Sequence, residues 1–258
     1  MKKKIKEIIN KKNKSKIVCL TAYSKNIAQI IDKHTDLILV GDSLGSVLYN
    51  FKTTRDVTLD MMIEHSKSVR HGVSNSLMIV DMPFNTYKNP KQALKNCKKV
   101  MNITKCDGVK LEGGIKIIKI VKMLVKNKIP VMGHLGILPQ STKGKFKSKG
   151  KSTKEKKEIF RDSKLLEDAG VFSIVLECVE KKLAKEITRL ISIPTIGIGS
   201  SNNCDGQVLV TDDILGLTDS KIKFVKKFSD VKKIISSGVK KFKQEVRSKK
   251  YPTKKYSY

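Results

Sequence analysis

Tryptophan is missing from this chain, and arginine is scarce, standing only at positions 55, 70, 161, 189 and 247. The formal charge of +30 and the pI near 9.9 therefore come almost entirely from lysine. So basic a chain raises the question of nucleic acid. However, bidentate reading of bases and phosphates favours arginine. No basic stripe is interleaved with aromatic residues on which bases stack. The lysines spread along almost every expected helix, as on a solvated exterior, so no nucleic-acid partner is expected. A field of this sign still attracts anionic substrates. The cysteines, Cys19, Cys97, Cys106, Cys178 and Cys204, are odd in number, and no two have CxxC spacing. This argues against a disulfide framework and a zinc site and fits the reducing cytoplasm. No apolar run is long enough to span a bilayer, and the Lys-rich start lacks the apolar core of a signal peptide. The expectation is a cytoplasmic chain with no membrane partner.

What is present is a globular balance of 39% hydrophobic and 30% charged residues over 258 positions. That length suits one (β/α)8 barrel and buries a core without staples. Five short segments carry most of the information: Leu37-Ile-Leu-Val-Gly-Asp42-Ser43, Leu77-Met-Ile-Val-Asp81, Gly108-Val-Lys110-Leu-Glu112-Gly-Gly, Pro130-Val-Met-Gly-His134 and Phe172-Ser-Ile-Val-Leu-Glu177. Each is an apolar run bounded by Gly or Pro, as buried parallel strands are, and each ends on a polar group. A single Asp after a strand is ordinarily a helix cap or turn residue. Repetition at five strand ends points instead to the carboxyl-terminal face of a parallel barrel, where chemistry sits.

Further strands are expected over 17–23, 194–199 and 207–210, with helical patterns between them, and βα units repeat without a dividing linker. The expectation is one domain, 1–258: a TIM barrel with an N-terminal helix, whose Ile5, Ile8 and Ile9 form a narrow apolar face, and a C-terminal helical extension over 230–250. Residues 44–58 read as an irregular connection, and a helix is expected over 159–169. Residues 142–157 are the most polar stretch. They read as a solvated loop or, with Gly144 and Gly150 as hinges, as a lid over an anionic substrate.

Asp42, Asp81 and Glu112 end neighbouring strands, and three convergent carboxylates repel unless a cation holds them. All-oxygen ligands suit Mg²⁺ or Mn²⁺ rather than zinc. Ser43 and Lys110 stand beside them as candidates to hold a substrate carboxylate. Lys110 precedes Glu112 by two, so both face one side of the strand; the alternative is a lysine that merely pairs with Glu112. Glu177, across the mouth, is the candidate general base. His134 is a candidate to bind a substrate oxygen or orient a neighbour, with a satisfied polar histidine as the alternative. A divalent ion facing a carboxylate base suits proton abstraction next to the carbonyl of a 2-oxo acid, giving an enolate. Spacing does not name the electrophile.

Leu39-Val-Gly-Asp-Ser-Leu-Gly45, Asp81-Met-Pro-Phe84, Val109-Lys-Leu-Glu-Gly-Gly114, Gly133-His-Leu-Gly136 with Pro139-Gln-Ser141, Val175-Leu-Glu-Cys178, and Gly197-Ile-Gly199 with Asp205-Gly-Gln207 resemble, in order, the ketopantoate hydroxymethyltransferase family. The resemblance implies a (β/α)8 barrel, Mg²⁺, and transfer of a one-carbon unit from 5,10-methylenetetrahydrofolate to 3-methyl-2-oxobutanoate, giving 2-dehydropantoate for pantothenate biosynthesis. It implies Asp42, Asp81 and Glu112 at the metal, Asp42, Ser43, Asp81 and Lys110 at the substrate, His134 on the substrate side and Glu177 as proton acceptor. It also implies a cytosolic homo-oligomer, commonly a decamer. Gly144-Lys-Phe-Lys-Ser-Lys-Gly150 departs from the family's lid, lacking its Gly pair and Tyr. Two other readings compete: a Mg²⁺-dependent lyase or mutase on a similar barrel, and a non-enzymatic basic binding protein. Against the first, this chain has no cysteine motif in the loop after strand five, where related lyases carry one.

Overall fold

A computed structural model describes residues 3–141 and 148–258. Of the expected lid, residues 142–147 lie outside the described residues. The chain divides into two compact units, 1–210 and 211–258, each described by itself.

In the first unit, eight parallel strands close into a barrel in sequence order. They are β1 (Ile17–Thr21), β2 (Leu37–Val40), β3 (Leu77–Asp81), β4 (Gly108–Glu112), β5 (Val131–Gly136), β6 (Ser173–Glu177), β7 (Thr195–Ile198) and β8 (Gly206–Leu209). β8 pairs back onto β1 with Ile17 opposite Gly206. The helices between them are α2 (Lys25–Ile31), α3 (Leu44–Tyr49), α4 (Leu59–Arg70), α5 (Pro90–Thr104), α6 (Ile118–Lys126), α7 (Thr153–Asp168) and α8 (Lys181–Leu190), preceded by α1 (Lys3–Asn10).

Strand alternation sorts the side chains into two cores. Ile17, Leu37, Leu39, Ile79, Met132, Val175 and Ile196 point inward and form one cluster, joined by Ile5 and Ile8 of α1. The N-terminal helix thus contributes its apolar face to the barrel interior. The alternate residues, among them Val40, Val80, Val109, Leu111, Ile174 and Leu176, pack outward against helical residues such as Met62, Val100, Leu124 and Leu166. Each such large side chain taken from water contributes roughly 1.5–3 kcal/mol.

Helix starts are fixed by side-chain caps where the sequence supplies them. Thr58 accepts from Met61 N, and Asn89 accepts from Gln92 N ahead of Pro90 at the first turn. α7 begins at Thr153, six residues before the expected start, because Ser152 accepts from Glu155 N and the Glu155 carboxylate in turn receives Gly150 N. The 44–58 connection is also more ordered than expected. It holds α3 and a single 3₁₀ turn at Thr54–Asp56, anchored by buried Leu44 and by Phe51 N donating to Gly45 O.

In the second unit, α9 (Thr211–Ile214) is followed by α10 (Val231–Arg247), where Asp230 caps Lys233 N. Phe242, Tyr251 and Tyr256 form a ring cluster with centroids 5.6 and 5.9 Å apart. Among the described residues no helix is long and apolar enough to cross a membrane.

Candidate active site

The alternation that builds the inner core also delivers the polar strand ends. One residue pair above the inward Ile79, Asp81 points to the mouth. Lys110 and Glu112 follow on β4, His134 sits two above Met132, and Glu177 two above Val175. Register sets them side by side: Asp81 is opposite Lys110, and Glu112 is opposite His134. His134 lies within β5, so its backbone is held by the sheet.

These side chains form a continuous chain of contacts. Lys110 Nζ is 2.9 Å from Asp81 Oδ1 and 3.4 Å from His134 Nδ1. His134 Nδ1 is 3.7 Å from Glu112 Oε1, and its Nε2 is 3.2 Å from Glu177 Oε2. The last contact is close but not aligned as a hydrogen bond in this structure. Gly136 brings the ends of β5 and β6 together. Its φ is +98°, and a Cβ there would meet the Glu177 carbonyl oxygen at 2.1 Å. The same carbonyl receives Ile137 N at 2.9 Å.

Asp42 and Glu112 are linked to this chain through a residue the sequence reading did not single out. Gln140, 3% exposed, donates from Nε2 to Asp42 Oδ2 (2.8 Å) and to Met82 O (2.9 Å). Its backbone N–H donates to Glu112 Oε2 (3.1 Å), and its Oε1 accepts from Tyr87 OH (2.6 Å). Asp42 N donates to Asp81 Oδ2 at 3.1 Å. Ser43 starts α3 and exchanges a hydrogen bond with Tyr23 OH at 2.8 Å. A Cβ at Gly41 would lie 2.9 Å from Ser43 Oγ and 3.6 Å from Asp81 Oδ2, so the hydroxyl faces the space beside Asp81. His65, outside the mouth, is satisfied by Tyr23 O and Tyr49 OH.

Burial decides the electrostatics. Asp42 is pushed up to about 7 by burial and then by the Asp81 charge, against the pull of Lys110 and Gln140. Glu112 is driven well above the ordinary carboxylate range by burial, with Asp42 and Asp81 adding to it and Lys110 opposing. Burial works against the charge on Lys110, but Asp81, Glu112 and Asp42 outweigh it and hold the ammonium on. His134 is lowered by burial and by Lys110, which favours the neutral ring. With Nδ1 facing the Lys110 ammonium, the ring proton belongs on Nε2, toward Glu177.

The mouth is therefore short of positive charge: three buried carboxylates face one lysine. Asp81 Oδ1 has the Lys110 contact but no aligned hydrogen bond, and Glu112 Oε1 is buried without a donor. Among the described residues no three Asp, Glu, His or Cys side chains stand grouped at metal-holding range, and Lys110 reaches in beside Asp81. The donor set is nonetheless all oxygen, and its unpartnered atoms fit a hard divalent cation.

A model of the family described as ketopantoate hydroxymethyltransferase matches residues 2–254. The 3-methyl-2-oxobutanoate hydroxymethyltransferase of Pelagibacter ubique (strain HTCC1062) is 67% identical over 258 residues, covering 100% of both chains. That of Agrobacterium fabrum (strain C58 / ATCC 33970) is 47% identical over 251 residues, 96% of this chain and 90% of the other. Among solved structures, a phosphonopyruvate hydrolase complex with oxalate and Mg²⁺ superposes with a TM-score of 0.63 at 9% identity, over 98% of this chain and 93% of that one. Likeness at that identity speaks for the barrel fold alone.

Proposed function

The chain belongs to the ketopantoate hydroxymethyltransferase family of transferases, and we propose that it transfers a hydroxymethyl group from 5,10-methylenetetrahydrofolate to 3-methyl-2-oxobutanoate, yielding 2-dehydropantoate for pantothenate biosynthesis. The observation that carries this reading is the strand-end chain Asp81–Lys110–His134–Glu177. It sets a carboxylate and a buried ammonium on either side of one neutral imidazole.

Glu177 takes the proton from C3 of the oxo acid. The electron pair left at C3 bonds to the donor's one-carbon unit, whose C–N bonds break. Water supplies the hydroxyl oxygen, and tetrahydrofolate leaves with the nitrogen lone pairs reprotonated. No redox change is needed. Ser43 and Lys110 hold the substrate carboxylate, and Lys110 offsets the negative charge of the cluster. The neutral His134 ring has its one N–H on Nε2, and directs it at Glu177 to keep that carboxylate oriented on the substrate side. Asp42, Asp81 and Glu112 would hold Mg²⁺. When bound, that ion supplies Lewis-acid stabilisation of charge developing on the 2-oxo group. Gln140 fixes Asp42 and Glu112, and the burial of Asp42, Asp81, Lys110, Glu112 and His134 strengthens the interactions among them. The setting of the reaction is cytoplasmic, in a homo-oligomer.

The test is product formation with Mg²⁺, 3-methyl-2-oxobutanoate and methylenetetrahydrofolate. Wild-type chain is expected to form 2-dehydropantoate only when both substrates are present. Folate-independent cleavage of a 2-oxo acid would instead support the lyase reading.

A further inference from the structure

A cavity of about 670 Å³ opens beside the mouth, between the loops after β3, β4 and β5 and the face of α7. Its size lies within the roughly 300–1,000 Å³ of small-molecule sites. We propose that it seats the folate donor, pterin end inward and glutamate carboxylates at the outer rim. This rests on the proposed hydroxymethyl transfer.

The inner end of the cavity is formed by Glu112 and Gln140. Both are buried, and both belong to the carboxylate cluster. An occupant's inner end therefore lies against the reacting centre. The walls are apolar, from Phe84, Ile115, Ile117 and Leu138, and the Phe84 ring is held by the Arg55 guanidinium 4.1 Å from its centroid. A small branched oxo acid needs neither this volume nor these walls. A fused ring joined to a benzoyl group needs both.

The rim supplies charge of the right sign. Lys88 and Lys116 are exposed there. Arg161 also lines it but is tied to Asp162 by contacts of 3.0 and 2.8 Å, and exposed Glu158 offsets part of the rest. Among the described lining residues, these two lysines are the cations left to meet the donor's carboxylates, within the field of a chain of formal charge +30. The same seat suits tetrahydrofolate as leaving group, since only the one-carbon unit departs from it.

The test compares full-length wild type with two variants, the double charge reversal Lys88→Glu/Lys116→Glu and the cavity-filling Ile115→Trp, all assayed with Mg²⁺. The positions are exposed, so fold is expected to persist. The KM for methylenetetrahydrofolate should rise about tenfold or more in each, while the KM for 3-methyl-2-oxobutanoate stays within about twofold. An unchanged donor KM in either variant, with wild type turning over, overturns the cavity assignment alone. Wild-type deuterium exchange at C3 without any folate-dependent product overturns the donor reading, and the cavity assignment with it.

Discussion

The two ends of the barrel each bury a Lys–Asp pair, and they differ in how completely its atoms are satisfied. At the amino-terminal end Lys12 Nζ lies 2.8 Å from Asp205 Oδ2 and also donates to Thr188 O. Asp205 further accepts from Thr195 N, Thr195 Oγ1 and Asn13 N, so both its oxygens are used. At the carboxyl-terminal end Lys110 lies 2.9 Å from Asp81, with nearly the same burial. There two further carboxylates crowd in, their pKa values are driven up, and Asp81 Oδ1 and Glu112 Oε1 lack aligned donors. The same pair is a closed fastening at one end and an unsatisfied, charge-hungry cluster at the other. A buried ion pair is thus weak evidence of either stability or function until its remaining lone pairs are counted.

The contrast breaks most sharply under substitution. Glu177→Gln should lower kcat by about 10²–10⁴ with the far-UV spectrum retained; a loss under about tenfold would remove Glu177 from its role. Asp205→Ala should cost about 3–5 kcal/mol in urea unfolding, since it strands Lys12 and two backbone donors. Asp81→Ala should cost less than half of that while abolishing transfer, because it relieves repulsion among carboxylates. Equal costs would mean that the two ends hold their Lys–Asp pairs alike.

Cation response sharpens it further. Mg²⁺ at about 100 times its Kd should stabilise the chain by ~2.7 kcal/mol, and Asp42→Asn should abolish the rise in Tm. A Tm indifferent to Mg²⁺ in the wild type would count against a cation among the three carboxylates. Gln140→Leu leaves Asp42 Oδ2, Met82 O and Tyr87 OH without their partner, so a loss of about 1–3 kcal/mol is expected by denaturant titration, with reduced turnover.

The smallest effect belongs to Asp32, which shares no hydrogen bond with either pair. It receives the backbone N–H groups of Ser74, Asn75 and Ser76, and despite the cost of burial these bonds hold its carboxyl below the ordinary value. Its contribution is present above the unfolded pKa of about 3.9 and disappears as pH falls through the lower folded value. Asp32→Asn should therefore lower stability by about 1 kcal/mol at pH 7, with the gap to wild type closing in acid. A gap independent of pH would assign the effect to packing.

Much of the barrel was legible because its signals are local. Apolar runs such as Leu37–Val40 and Leu77–Val80 give the strands, and the step of two between Lys110 and Glu112 gives their common side. The family resemblance read from the ordered strand-end motifs agrees with the matched family. Gln140 stood out only as part of a motif, since its role depends on where a loop returns: it meets Asp42, 98 residues away. Tyr87 was missed for the same reason. α3 was missed because no side chain caps it, and the early start of α7 because Lys-rich composition masks the Ser152–Glu155 cap. The crowding that raises Asp42 and Glu112 is a property of three-dimensional proximity, which strand ends suggest but spacing does not measure.

The most direct test of the carboxyl-terminal cluster as a proton-abstracting site is deuterium exchange at C3 of 3-methyl-2-oxobutanoate, followed by NMR with Mg²⁺ present and folate absent. The expected result is exchange that requires the metal and is lost in Glu177→Gln. No exchange in a folded, metal-loaded wild type, with or without folate, would contradict it.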